Sequence, residues 1–134
     1  MATIKSYSNL QQSKKLAEIL PLESADMYYQ YVLPKSDKIK HNPEIGNPIN
    51  ALEWYNKGYT LGGKEPIKLD DYCVPCWSLA ALLDILPNGI VMNKDSQNGM
   101  YHFSSKYIGT SVTADNPVDA CVAMIIMLSK NGLI

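Results

Sequence analysis

The sequence predicts an α+β fold, in which an antiparallel meander of three or more strands packs with two buried helices in the order α-β-β-β-α. An N-terminal helix and strand precede this C-terminal unit. Residues 76–86 and 118–128 are almost wholly apolar, which is typical of buried helices. Between them, short β-prone runs flank Asn98-Gly99, a dipeptide that favours a tight hairpin turn because both turn positions need a positive φ.

The length of 134 residues predicts one domain, and folding would bury roughly two-thirds of the unfolded surface. Hydrophobic residues make up 46% and charged residues 19% of the chain, as in ordinary globular proteins. We expect a single domain, 1–134, with a less regular half at 1–72 that contains a long loop at 34–49. Residues 73–134 form the helix–meander–helix unit.

In the N-terminal half, Ser8 and Gln11 have the spacing of a capping box and predict a helix over 9–20. Residues 27–33 are rich in aromatic and β-branched side chains and predict a strand. A short helix over 50–57, capped by Asn50, is expected after the loop.

In the C-terminal half, Pro75 suits the first turn of a helix, because no partner is needed there for its missing N–H. Strands are predicted at 90–93, 100–104 and 106–113. Asp115 or Asn116 would then cap the last helix.

Both ends of that last helix are indicated by the sequence. Pro117 suits its first position, Lys130 its last turn, and Gly132 the left-handed residue that follows it.

The last helix has more apolar surface than one buried stripe needs. Such a helix is covered on all sides, either by the N-terminal half of the chain or by a second subunit. The second alternative predicts an oligomer interface on the side that the main stripe leaves open, formed by Ala120, Ala123, Met124 and Met127.

The Cys73-Val74-Pro75-Cys76 segment has the layout of a thiol–disulfide site at a helix start, where the helix dipole lowers the first thiol's pKa. Cys73 and Cys76 are therefore candidate catalytic residues. Asp70 and Asp71 act against this interpretation, because nearby carboxylates raise a thiol's pKa. The alternative is that Cys76 packs as a small hydrophobic residue.

No cofactor and no metal site are predicted. A structural zinc site needs four ligands at short spacing, whereas His41, His102 and Cys121 fall in a loop, a strand and a buried helix. Neither histidine has a sequence-adjacent catalytic partner, so the chain is more simply interpreted as a non-enzyme.

The charge pattern excludes several partners. All 12 basic residues are lysines and the net charge is −1, which disfavours nucleic-acid recognition, where arginine predominates. The sequence has no run of about 20 apolar residues and opens without the apolar core of a signal peptide. We therefore expect a cytoplasmic protein that neither binds nor crosses a membrane, and whose partner is a protein or a second copy.

Aromatic side chains beside the lysine-bearing loop form a candidate binding surface, made of Trp54, Tyr55 and Tyr59. The alternative is that Trp77 belongs to the core and that Trp54 covers it as a lid.

Two segments, VPCWSLAALLDILP at Val74–Pro87 and DNPVDACVAMIIMLSKNGLI at Asp115–Ile134, resemble a family of small proteins of phages and mobile elements of gut bacteria. The segment KKLAEILPLESADM at Lys14–Met27 looks like that family's usual opening. More loosely, the order of elements is similar to the phage ABA sandwich domain. The resemblance implies a fold type and a mobile-element origin, but it implies no activity.

The sequence therefore favours a non-enzymatic interaction or regulatory module of phage or mobile-element origin. A thiol-redox protein using Cys73 and Cys76, and a small-ligand-binding protein, are the alternatives.

Overall fold

The computed structural model describes residues 5–106, 109 and 111–134, and it has the α+β class that the sequence predicts. The chain divides into two compact units. One is Asn9–Trp77, and the other joins residues 5–8 to Ser78–Ile134. Each unit contains helices and its own three-stranded antiparallel sheet.

The Asn9–Trp77 unit is built on a three-stranded sheet whose central strand is the first of the three in the chain. Its register places Met27 opposite Cys76 and Gln30 opposite Cys73. The elements in chain order are α1 (Leu10–Ala17), β1 (Met27–Gln30), β2 (Glu44–Ile45), α2 (Pro48–Tyr59), the single turn α3 (Leu69–Tyr72) and β3 (Cys73–Cys76).

The first two helices exist as predicted, but their starts are displaced. In α1 the capping box is formed by Asn9 and Gln12, one residue later than the predicted pair. In α2 the cap is Asn47, whose side-chain oxygen accepts from the backbone N–H groups of Ile49 and Asn50. Both shifts have the same cause, because several polar residues near each start can cap and only tertiary packing selects among them.

The strand predicted over 27–33 is shorter, and the loop that follows it is hydrogen-bonded. The Val32 N–H donates to the carbonyl of Lys38, and the Lys40 N–H donates to that of Gln30. Further along, β2 pairs with β1. The segment 34–49 is therefore folded back along β1.

The prediction that Pro75 opens a helix is wrong. The Cys-Val-Pro-Cys segment is strand β3, and all four of its residues are buried. The following helix begins at Leu79, where the Ser78 hydroxyl accepts from the Ala81 N–H at 3.2 Å. Because β3 is the last strand of its sheet, it tolerates a proline, which cannot donate to a further strand.

The second unit confirms the α-β-β-β-α order. Its sheet is a meander with the strand order β4 (Ile90–Lys94), β5 (Tyr101–Ser105) and β6 (Ser111–Ala114). The last helix, α5 (Pro117–Lys130), packs on β5, on β6 and on the first helix, α4 (Leu79–Ile85). Phe103 in β5 is buried, with Met92 and Val112 opposite it on the neighbouring strands.

Two details of this unit differ from expectation. The first helix, α4, is not buried all round, because Leu82 is its only buried residue and Leu83 is 40% exposed. The β4–β5 hairpin is closed by a longer loop than a two-residue turn. The Asp95 N–H donates to the carbonyl of Met100, and the Asp95 carboxylate accepts from the backbone N–H groups of Gln97 and Asn98.

The caps of α5 are the predicted ones. The Asn116 side chain accepts from the Asp119 N–H at 2.8 Å, and Pro117 occupies the first position. At the other end Gly132 has a φ of 72°, and the Leu133 N–H donates to the carbonyl of Leu128. This is the left-handed termination that the sequence indicates.

Candidate functional site

The two thiols of the Cys-Val-Pro-Cys segment lie on β3 and cannot act as a disulfide pair in this conformation. Residues three apart on a strand point to opposite faces, with Cα atoms about 10 Å apart. A disulfide requires Cα atoms within about 7 Å. Burial, reinforced by the charge of Asp70, raises the pKa of Cys73 to about 12. Reactive thiols have depressed pKa values, so the raised pKa of Cys73 is the opposite of what a redox site needs, and Cys76 is fully buried.

The third cysteine and the histidines form no metal centre with them. Cys121 is buried in α5, and burial raises its pKa to about 12. His102 lies on β5, with its Nδ1 atom 2.8 Å from the Thr113 hydroxyl. Within residues 5–106, 109 and 111–134, no three His, Cys, Asp or Glu side chains are grouped as metal ligands would be. None of the helices described there is long and apolar enough to cross a membrane.

The predicted aromatic surface is divided between two sides of α2. Tyr55 and Tyr59, one helical turn apart, stack with ring centroids at 5.6 Å. Trp54 points away from them and is 78% exposed, so it is not a lid over another ring. Trp77 is fully buried, and its indole N–H donates to the Ser24 hydroxyl at 2.9 Å.

The stacked tyrosines belong to a larger cluster that the sequence did not reveal. The rings of Tyr55 and Tyr72 are 5.0 Å apart, and those of Tyr72 and Tyr28 are 6.1 Å apart. The ammonium of Lys64 lies 5.0 Å from the ring centre of Tyr59. Burial raises the pKa of Tyr72 to about 12. These four tyrosines come from β1, α2 and α3, so only the tertiary fold brings them together.

On α5, the four residues predicted to form an oligomer interface differ in their exposure. Ala120 and Met124 are fully buried within the chain and are not available to a second subunit. Ala123 and Met127 are half-buried, and they share one side of the helix with Ile126 and Lys130. Their spacing of three, four and seven residues is that of a continuous helical stripe.

This stripe borders a groove with a volume of about 400 Å³. We call it the α5 groove and define it by Val112 of β6, by Ala123, Ile126 and Met127 of α5, and by Lys130 and Asn131 at its end. Apart from its two polar end residues, the groove is apolar. Ile126 is not among the residues predicted for this surface. Its position could have been inferred, because Asp119 and Lys130 lie three turns apart on the same side of the helix and mark the face that meets solvent.

The α5 groove is thus a continuous apolar surface, whereas the three cysteines are buried. The ring of His102 lies between the Thr113 hydroxyl and the Asp95 carboxylate, with 3.9 Å between its Nε2 atom and that carboxylate. Comparison with protein-family models, with curated proteins and with solved structures found no match.

Proposed function

We propose that this protein is a non-enzymatic interaction or regulatory module that self-associates through the α5 groove, with a second copy of the chain as its partner. The observation that carries the proposal is the stripe of Ala123, Ile126 and Met127, which stays half-exposed on a helix whose other faces are buried. Apolar side chains gathered along one groove favour burial against another protein surface.

A second copy suits the groove because the charges around it are self-complementary. Asp115 is exposed just before α5 begins, and Lys130 is exposed where α5 ends. When two copies of α5 pack antiparallel about a two-fold axis, each Lys130 approaches the acidic end of the other helix. The opposed helix dipoles favour the same arrangement.

The shape of the stripe also fits a helix–helix contact. Ala123 lies beside the longer side chains of Ile126 and Met127, so a small residue adjoins two large ones. A small residue lets the helix axes approach to about 8–10 Å, and the larger side chains of one copy can then fill the groove of the other. Methionine adapts its shape to such a contact.

The strength of the association follows from the size of the patch. Three apolar side chains and one strand residue give an interface smaller than the roughly 1,200–2,000 Å² that stable complexes bury. We therefore expect a reversible dimer with a dissociation constant on the order of micromolar, equivalent to about −8 kcal/mol.

Sedimentation velocity over a concentration series tests the proposal. The wild-type protein should shift from monomer to dimer as its concentration rises. Ile126→Glu and Ala123→Glu should remain monomeric, because each places a carboxylate in the apolar contact. The matched control is Val91→Glu on β4, a residue of the same unit that is 53% exposed and lies outside the groove.

Charge reversal tests the orientation. Lys130→Glu should weaken the dimer, and the double variant Asp115→Lys with Lys130→Glu should restore it, since the pair is re-formed with opposite signs. A wild-type protein that stays monomeric at every concentration, or an Ile126→Glu variant that dimerises normally, would refute self-association through α5. An origin in a phage or mobile element is part of this proposal and rests on the resemblance of the two segments alone.

A further inference from the structure

We infer that the Asn9–Trp77 unit binds a small zwitterion of the α-amino-acid class in a cleft of about 330 Å³. The charged side chains that line this cleft, here called the charged cleft, are Lys35, Glu65, Lys68 and Asp71. The inference goes beyond self-association, because the cleft belongs to the other unit and shares no residue with the α5 groove.

The charges around the cleft are balanced but do not neutralise one another. Two lysines and two acidic residues line a single opening. Lys35, Glu65 and Lys68 are exposed, and Asp71 is half-buried. Among the described residues, none of these four groups forms an ion pair within 4.0 Å. A ligand that carries one charge of each sign can pair with both kinds of group at once.

The walls of the cleft are held in place by neighbouring contacts. The Asn56 side chain donates to the carbonyl of Ile67 at 3.0 Å and accepts from its N–H at 2.9 Å. The N–H of Lys35, a residue with a φ of 65°, donates to the carbonyl of Asp71 at 2.9 Å. These bonds fix the backbone on both sides of the opening. The backbone of the cleft therefore loses little conformational entropy when a ligand binds.

The tyrosine cluster supplies a third fixed wall. Tyr59 lines the cleft, and its ring is positioned by the stacked ring of Tyr55 and by the ammonium of Lys64. Pro66, which is exposed, adds a small apolar surface beside it. The cleft therefore combines a small apolar surface with charges of both signs.

This combination selects the class of ligand. A simple anion would meet Glu65 and Asp71, and a simple cation would meet Lys35 and Lys68, so each would gain one attraction and incur one repulsion. A neutral apolar molecule would pair with none of the four charges. The volume lies at the low end of the roughly 300–1,000 Å³ of small-molecule sites, which suits a ligand of amino-acid size.

In the bound state, the α-carboxylate of the ligand lies between the ammonium groups of Lys35 and Lys68. Its α-ammonium lies against the carboxylates of Asp71 and Glu65. No bond is made or broken. An apolar side chain on the ligand contacts the wall formed by Tyr59 and Pro66.

Amide chemical shifts in ¹⁵N-labelled full-length protein provide the test, with three probes that share one side chain and differ in charge. L-leucine is the zwitterion, L-leucinamide is the cation and N-acetyl-L-leucine is the anion. L-leucine should shift the amides of Lys68 and Asp71 in a saturable manner and leave that of Phe103, in the other unit, unchanged. The two singly charged probes should bind at least about tenfold more weakly, because each loses one charge-assisted contact.

Substitutions identify the site independently of the probes. Lys68→Gln and Asp71→Asn should each weaken L-leucine binding at least about tenfold. The controls Lys57→Gln and Asp37→Asn remove exposed charges of the same kind outside the cleft and should have no effect. Unchanged amide shifts for residues away from the cleft would verify that each variant is folded.

The inference is overturned if L-leucine shifts no amide of the cleft, if L-leucinamide or N-acetyl-L-leucine binds as tightly as L-leucine, or if a folded Lys68→Gln variant binds L-leucine normally. These outcomes are independent of the self-association test, since an Ile126→Glu monomer retains the charged cleft unaltered.

Discussion

Asn56 offers the sharpest test of how the Asn9–Trp77 unit is held together. Its side chain takes the place of a neighbouring strand for Ile67, pairing with both the N–H and the carbonyl of that residue. Ile67 is only 5% exposed, so water does not readily replace the lost partners in Asn56→Ala. An unsatisfied buried backbone group costs about 1–3 kcal/mol. Both bonds are partly buried, so we take the lower end for each and obtain about 2 kcal/mol.

Helix propensity acts in the opposite direction, because alanine is favoured over asparagine inside a helix by up to about 0.7 kcal/mol. Asn50→Ala on the same helix provides the correction, since Asn50 is exposed and its substitution changes propensity alone. We expect Asn56→Ala to lower the free energy of unfolding by about 1.5 kcal/mol and Asn50→Ala to leave it unchanged or slightly raised.

Urea unfolding followed by tryptophan fluorescence measures this difference directly. Both tryptophans, Trp54 and Trp77, belong to the Asn9–Trp77 unit, so the signal reports the unit that contains the substitution. Asn56→Asp should fall between the two alanine variants, because it keeps the acceptor and loses the donor. If the free energies of unfolding of Asn56→Ala and Asn50→Ala agree within about 0.5 kcal/mol, which is the usual size of a surface effect, the two hydrogen bonds from Asn56 to Ile67 contribute no stability.

Three further predictions concern caps and titration. Gly132→Ala should destabilise the protein by about 1 kcal/mol, because the φ of 72° disfavours a side chain even though the added Cβ meets nothing within 4 Å. Gly58→Ala, also in open space but inside α2, should stabilise the protein by about 0.5–1 kcal/mol. Melting temperatures that move in the same direction for both variants would contradict this. Asn116→Ala should cost about 1 kcal/mol through the lost cap of α5, measured against Asn131→Ala at the other end. The thiols of Cys73 and Cys121 have pKa values raised from 9.0 to about 12, so the unfolded chain releases these protons first. The free energy of unfolding should therefore be steady below about pH 9 and fall as the pH rises towards about 12, and a profile that rises over this window would refute the assignment.

The C-terminal meander was predictable because its signals are local. An N-cap, a proline at the first helical position and a left-handed glycine each act within a few residues of α5, so the helix limits follow from the sequence. The same holds for the strand order, since consecutive antiparallel strands need only short connections. In the third strand, predicted over 106–113, residues 107, 108 and 110 lie outside the described residues, and the observed β6 is Ser111–Ala114.

The Cys-Val-Pro-Cys segment shows where local signals fail. A proline followed by an apolar run is compatible with a helix start and with an edge strand, and only the pairing with β1 decides between them. That pairing joins residues 43 to 49 positions apart, which no short pattern encodes. The tyrosine cluster and the charged cleft have the same character, because Lys35, Tyr59 and Asp71 come from separate elements.

The position of the exposed stripe on α5 follows from a simpler argument than the one that predicted it. Counting apolar residues identified a helix with too much hydrophobic surface, but it placed Ala120 and Met124 on the outside. The only charged residues of α5, Asp119 and Lys130, lie three turns apart and so define one face. Ala123, Ile126 and Met127 share that face, and Asp119 is tied to it by an ion pair with Lys5 at 2.7 Å. Because Asp119 is paired with Lys5, the acid available to a second copy is Asp115, which is exposed just before α5 begins. The stripe therefore has an acid before one end and a base at the other, and it is complementary to its own antiparallel copy. The double variant Asp115→Lys with Lys130→Glu is therefore the most demanding test of the dimer. If Lys130→Glu weakened the dimer only by disturbing the fold or the apolar contact, adding Asp115→Lys would not restore it.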